Sequence, residues 1–106
     1  MSRGEVWWVD FSRGQGGETQ KTRPAVIVSN NSANKFLNRI QVVPLSGQVA
    51  KIYPSEAMVT FDGKQSKALA DQITTATKGR LKNKAGSLSA KDMASVDRVI
   101  RLQLGL

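Results

Sequence analysis

The chain has no cysteine and no histidine. Without cysteine there is no disulfide, no thiolate nucleophile and no Cys-ligated metal. Without histidine the commonest metal ligand and the usual general base near neutral pH are both missing, so a zinc site is not expected. Any catalysis falls to Arg, Lys, Glu, Asp, Ser, Thr or Tyr. Long apolar runs are also missing, since none approaches the ~20 residues that span a bilayer. The opening "MSRGEVWWVD" has no apolar segment of the signal-peptide kind, which makes the cytoplasm the expected location and leaves no membrane partner. Acid is scarce: 8 Asp and Glu stand against 16 Lys and Arg, a net charge of +8. So basic a chain attracts polyanions, and nucleic acid is the expected partner ahead of an acidic protein or a charged lipid surface.

What is present reads as one small domain, residues 1–106. "GEVWWVDF" (4–11) is rich in aromatic and β-branched residues and predicts a first strand. Trp7 and Trp8 project to opposite faces of it, one to the core and one to a partner. "SRGQGGETQKT" (12–22) is a long polar, Gly-rich loop of the kind that carries function. "RPAVIVS" (23–29) predicts a second strand, "NNSANK" a turn or short helical turn, and "RIQVVPLS" (39–46) a third strand with Pro44 at an edge or bulge. A polar loop leads to a fourth strand, "EAMVTF" (56–61), and "DGK" forms its turn. "KALADQITTA" (67–76) is read as one further strand on the β-branched Ile73, Thr74 and Thr75, "TKGRLKNK" as a basic turn, and "AGSL" as a last short strand. Ser89 then caps a helix, with Asp92 completing a capping box. Met93, Val96, Ile100 and Leu104 recur at helical spacing, and Gly105 stops the helix. Strands followed by one terminal helix predict a small antiparallel β-barrel or curled sheet with the helix packed on it.

The candidate chemistry clusters around Arg23. Pro24 biases the residue before it to an extended backbone, which aims Arg23 at the rim of the sheet. A guanidinium is a planar, permanently charged fork suited to phosphate; a solvated or Asp-paired arginine is the plainer alternative. In an antiparallel pair the end of the third strand lies near the start of the second, which predicts Ser46 close to Arg23. Ser46 has no histidine to make it a hydrolase nucleophile, and it reads either as a phosphate ligand or as a turn cap. Glu18, five residues before Arg23, can pair with it, position it or act as a base. Asp71 and Gln72 are polar within an apolar pattern, and Gln72 is a candidate contact to a base. Lys78, Arg80, Lys82 and Lys84 form a basic run suited to a nucleic-acid backbone. Trp7, Trp8, Phe11, Phe36, Tyr53 and Phe61 are aromatics that can stack on bases.

Taken in order, "RGEVWWVDF", "GETQKTRPAVIVSNN", "VVPLSGQ" and "ALADQITTATKGRL", followed by the closing helix, resemble the MazF/PemK-type toxins of bacterial toxin–antitoxin systems over nearly the whole chain. The resemblance implies an SH3-like antiparallel barrel of the CcdB/MazF type with a C-terminal helix, assembled as a homodimer. It implies a metal-independent, cofactor-free endoribonuclease that cuts single-stranded RNA at short sequences. The implied products carry a 2′,3′-cyclic phosphate and a 5′-hydroxyl, and an acidic antitoxin neutralises the enzyme. The family's arginine falls on Arg23, its hydroxyl residue (more often Thr) on Ser46 and its loop glutamate on Glu18. RNA contacts are expected from Gln20, Lys21, Thr22, Gln48, Lys51, Gln72, Lys78 and Arg80. Two other expectations fit the same fold: a gyrase-inhibiting toxin of the CcdB kind, and a non-catalytic SH3-like RNA-binding module.

Overall fold

The computed structural model describes residues 1–12 and 21–106. The first strand, β1 (Glu5–Asp10), begins after Gly4, whose φ of +93° is left to glycine, and ends where Ser12 donates its N–H to the Asp10 carboxylate at 2.8 Å. β1 pairs antiparallel with β2 (Thr22–Ile27), setting Val9 opposite Arg23 and Trp7 opposite Ala25. The expected second strand ran on to Ser29. Instead the chain turns, because Asn30 caps the short helix α1 (Asn31–Phe36) through the N–H of Ala33, and the Ser29 hydroxyl bonds the buried Asn34 side chain.

β3 (Arg39–Ser46) is the organising strand. Its first half pairs with β6 (Thr74–Thr77), its middle, Val42 to Pro44, with β2, and its end, Leu45 and Ser46, with β5 (Lys64–Leu69). Pro44, expected at an edge or bulge, is therefore buried inside a shared strand, where β3 changes partner. The last β2–β3 pair is Ala25 opposite Pro44, and the next would place Pro24 opposite Leu45. Two prolines remove two N–H donors where that ladder ends, and β3 takes a new partner there.

β4 (Glu56–Phe61) and β5 form a hairpin closed by Asp62 and Gly63, with φ of 54° and 72°. Positive φ at both central residues is the geometry of the tight hairpin turn that Asp-Gly favours. The segment read as one strand over 67–76 is two strands. β5 stops at Leu69, a 3₁₀ turn spans Ala70–Gln72, and β6 starts at Thr74. The break follows from packing. Ala70 is buried with Ala57 and Val99, and the turn carries the chain from the end of β3 that pairs β5 to the end that pairs β6. The segment read as a basic turn is also only partly so: the turn is Lys78–Arg80, and β7 (Leu81–Ser87) follows, absorbing the short strand expected near Ser87. Leu81 is buried opposite Val9, while Lys82, Asn83 and Lys84 face solvent on an outer strand, where charge deters edge-to-edge pairing.

The result is the expected curled antiparallel sheet with a C-terminal helix, ordered β4-β5-β3-β2-β1-β7 with β6 beside β3. Side chains alternate along β2, so Val26 enters one core and Ala25 and Ile27 the other. The first core holds Val6, Val43, Val59 and Leu45 under α2 (Ala90–Leu104); the second holds Val9, Ile27, Ile40, Val42 and Leu81 inside the curl. Trp7 packs half-buried against the second core, and Trp8 is 38% exposed.

Ser89 caps α2 by accepting the Asp92 N–H at 3.1 Å, but the Asp92 carboxylate does not close the expected box. It accepts the N–H of Thr60 on β4 at 2.8 Å and so docks the helix onto the sheet. Met93, Val96 and Val99 form the buried stripe, Leu104 is exposed, and Gly105, at φ 73°, ends the helix. Asp92→Ala removes both the Thr60 acceptor and an anion at the helix N-terminus, and urea unfolding is expected to show a loss of about 1–2 kcal/mol.

Two carboxylates brace the sheet. Burial pushes the Glu5 carboxyl up, but bonds from the Trp7 indole, the Ser2 amide and Lys84 outweigh it and hold the group below its usual range. Glu56 is held low by the Tyr53 amide first, and by Lys67 at 2.9 Å. A carboxyl whose folded pKa is depressed stabilises the protein above its unfolded value of about 4.3, and that stability is lost as pH falls. The urea midpoint is therefore expected to hold between about pH 7 and 5.5 and to drop toward pH 3. Glu56→Gln is expected to flatten that drop.

Candidate RNA-binding groove

Arg23 stands on the same face of β2 as Ala25 and Ile27, two residues beyond the last core position. The ladder to β1 continues through Thr22, so the arginine's backbone is fixed on one side while its side chain lies at the open end of the second core, half-buried. Among the described residues it has no ion-pair or hydrogen-bond partner. It lines a groove of about 490 Å³ with Asp10 and Ser12 from the end of β1, Pro44 of β3, Gln72 and the start of β6, and Arg80.

Arg80 has a second task. Its guanidinium donates to the carbonyl of Asp10 at 3.1 Å and, by a short bond, to that of Ser12, tying the turn before β7 to the stem of the 12–22 loop. The Asp10 carboxyl is held below its usual range by hydrogen bonds from Ser12, with Lys82 and Arg80 adding their charge. Asp10 was not singled out from sequence, although an Asp two residues before a Ser at the mouth of a polar loop is a turn signal. The groove thus presents two guanidinium groups, one carboxylate and the polar Gln72, a lining suited to a phosphate with attached bases. Among the described residues no three Asp or Glu side chains converge as a metal ligand set would.

The other expected site residues are placed as follows. Ser46 follows Val42 and Pro44 on the alternating face of β3, the face Arg23 shares, and the β2–β3 register continued by two pairs would set it opposite Arg23. The ladder ends before that pair. Ser46 instead stands opposite Lys67 of β5, does not line the groove, and accepts the Gln48 N–H at 3.2 Å as a turn cap. Lys21 and Thr22 are exposed at the start of β2, and Gln48 and Lys51 are exposed on the 47–55 loop. Lys78 lines a different cavity, with Asn31 and Lys35 of α1. Glu18 and Gln20 lie outside the described residues.

The sequence and fold also match known proteins. The family described as PemK-like, MazF-like toxin of type II toxin–antitoxin system matches residues 2–104. The chain is 39% identical over 115 aligned positions to the endoribonuclease MazF9 of Mycobacterium tuberculosis, covering all of this chain and 98% of the relative. It is 36% identical over 111 positions to the endoribonuclease MazF of Staphylococcus saprophyticus, covering 100% and 92%. Its fold superposes with a TM-score of 0.85, at 25% identity and over 100% and 96% of the two chains, on the crystal structure of MazE–MazF (Form-II) from Deinococcus radiodurans. With the match spanning all but the ends of the chain, the protein belongs to the PemK-like, MazF-like toxins of type II toxin–antitoxin systems.

Proposed function

We propose that this toxin is a sequence-specific endoribonuclease that cuts single-stranded RNA by turning the substrate's own 2′-hydroxyl on the adjacent phosphorus. The observation that carries the reading is Arg23: a guanidinium fixed by the β1–β2 ladder and Pro24, standing in a cationic groove with no charge partner among the described residues. As the 2′-oxygen attacks, negative charge builds on the phosphoryl oxygens. Donors already aimed at that charge lower the barrier without reorganising. Arg23 supplies this stabilisation within the groove. Ser46 lies on the same face of the sheet just outside the groove lining, where its oxygen accepts from Gln48 and its own O–H remains to donate to a phosphate oxygen of RNA that reaches past the groove. Glu18 takes the 2′-hydroxyl proton. The bond to the 5′-oxygen breaks and that oxygen takes a proton from solvent water, leaving a 2′,3′-cyclic phosphate and a 5′-hydroxyl. The substrate brings its own nucleophile, so the chemistry needs neither histidine nor a bound metal.

The exposed Leu102, Leu104 and Leu106 at the end of α2 offer apolar surface to a second copy in a homodimer. The cognate antitoxin is acidic, and its extended segment lies across the Arg23 groove, excluding RNA by charge and by volume.

Arg23→Ala is expected to lower the single-turnover cleavage rate about 10²–10³-fold with excess EDTA present. Ser46→Ala is expected to cost about 10- to 150-fold, the worth of one hydrogen bond to a charged acceptor. Wild-type protein that leaves a long, varied RNA intact, or that blocks DNA supercoiling instead, sinks the proposal.

A further inference from the structure

Lys67 is the one buried lysine among the described residues. It lies on β5 between Ser46 of β3 and Met58 of β4. Burying an ammonium is costly unless its donors are met, and every bond it makes reaches toward one segment. Nζ donates to the carbonyl of Lys51 and to Glu56 Oε1, both at 2.9 Å. It also lies 5.6 Å from the centre of the Tyr53 ring. Glu56 closes the arrangement by accepting the Tyr53 N–H at 2.9 Å while its own N–H donates to the Tyr53 carbonyl at 2.9 Å. The loop that leaves Ser46 is thus fastened at Lys51, Tyr53 and Glu56 by a single buried cation.

That fastening has an exposed product. Tyr53 is 51% exposed, with its backbone fixed at both N–H and carbonyl, and Lys51 Nζ stands 5.3 Å from the ring centre. A half-exposed ring on a fixed backbone, with the solvent-facing Lys51 ammonium and the buried Lys67 ammonium both over it, suits single-stranded RNA: a base stacks on the ring as Lys51 swings out to the phosphate it neutralises.

We infer that Tyr53 and Lys51 form a nucleotide subsite for single-stranded RNA, outside the Arg23 groove, and that Lys67 is its positioning residue. This rests on the RNA-directed reading above but is tested separately from cleavage. The probe is a labelled, uncleavable 2′-O-methyl RNA of mixed sequence, with affinity followed against salt.

Tyr53→Leu is expected to weaken binding about 5- to 150-fold, while Tyr53→Trp restores it. Lys51→Ala is expected to reduce the slope of log affinity against log salt by about 0.7. Lys67→Met with Glu56→Gln leaves no unpaired buried charge and keeps an acceptor for the Tyr53 N–H. This pair is expected to weaken binding with the salt slope unchanged, and to shift the amide resonances of residues 47–55 while those of α2 stay in place. Unchanged affinity in Tyr53→Leu overturns the subsite even if RNA is cut, and so does an equal loss in Phe36→Leu, an exposed aromatic elsewhere. A changed salt slope in the Lys67 pair overturns the positioning role. Wild type that binds the probe without cutting RNA sinks the nuclease reading and leaves the subsite standing. Wild type that does not bind the probe overturns the subsite, while the nuclease reading stands or falls on the cleavage of unmodified RNA.

Discussion

The structure turns on the change of partner along β3. One strand of eight residues serves β6, β2 and β5 in succession, and the handover from β2 to β5 falls where Pro24 and Pro44 withhold their N–H groups. A continuous ladder there would keep β2 and β3 paired to their ends and close the face that Arg23 occupies. Because pairing stops at Ala25 and Pro44, the second core opens at that end, and its last residues line a groove. The switch also puts Ser46 on β5, within reach of the loop that Lys67 holds.

Charge is arranged to match. Most cations face solvent, where they set up a positive field of the kind that attracts polyanions at long range and falls with salt. Besides Lys84, which pairs with Glu5, three are set more firmly. Arg3 bonds the Val28 carbonyl and pairs with Asp97 of α2; Arg80 holds the stem of the 12–22 loop; Lys67 holds the 47–55 loop. Arg23 alone among the groove's cations is rigid in backbone and uncommitted in side chain within the described residues. A transition-state donor needs that combination, since a guanidinium already paired to a carboxylate has less to offer a developing phosphorane.

Much of this was legible in the sequence, and the exceptions share a cause. β3 and β4 could be bounded to the residue, and the Ser89 cap and the Asp-Gly hairpin are local signals with local chemistry. What escaped depends on contacts distant in sequence. Thr74 and Thr75 are β-branched and look continuous with Ala68 and Leu69, yet Ala70 is drawn into the core beside Val99 of the terminal helix, which forces a turn. Leu81 and its flanking lysines resemble a basic turn until Val9 is placed opposite them. Arg23 could be picked out because proline acts on its immediate neighbour. Ser46 and Arg23 do share a face, but the β2–β3 ladder stops two pairs short of setting them opposite each other. Lys67 gave no signal, because only the fold turns that lysine inward among Lys51, Tyr53 and Glu56.

The central claim is that the protein supplies alignment and positive charge while the RNA supplies the nucleophile. It is tested most directly by replacing one 2′-hydroxyl, at the nucleotide just 5′ of a mapped cut, with hydrogen, and by analysing the ends of the unmodified product. Cleavage should vanish at that position alone, and the unmodified product should carry a 2′,3′-cyclic phosphate and a 5′-hydroxyl. Cleavage that persists at the deoxynucleotide, or products bearing a 5′-phosphate, would contradict the account.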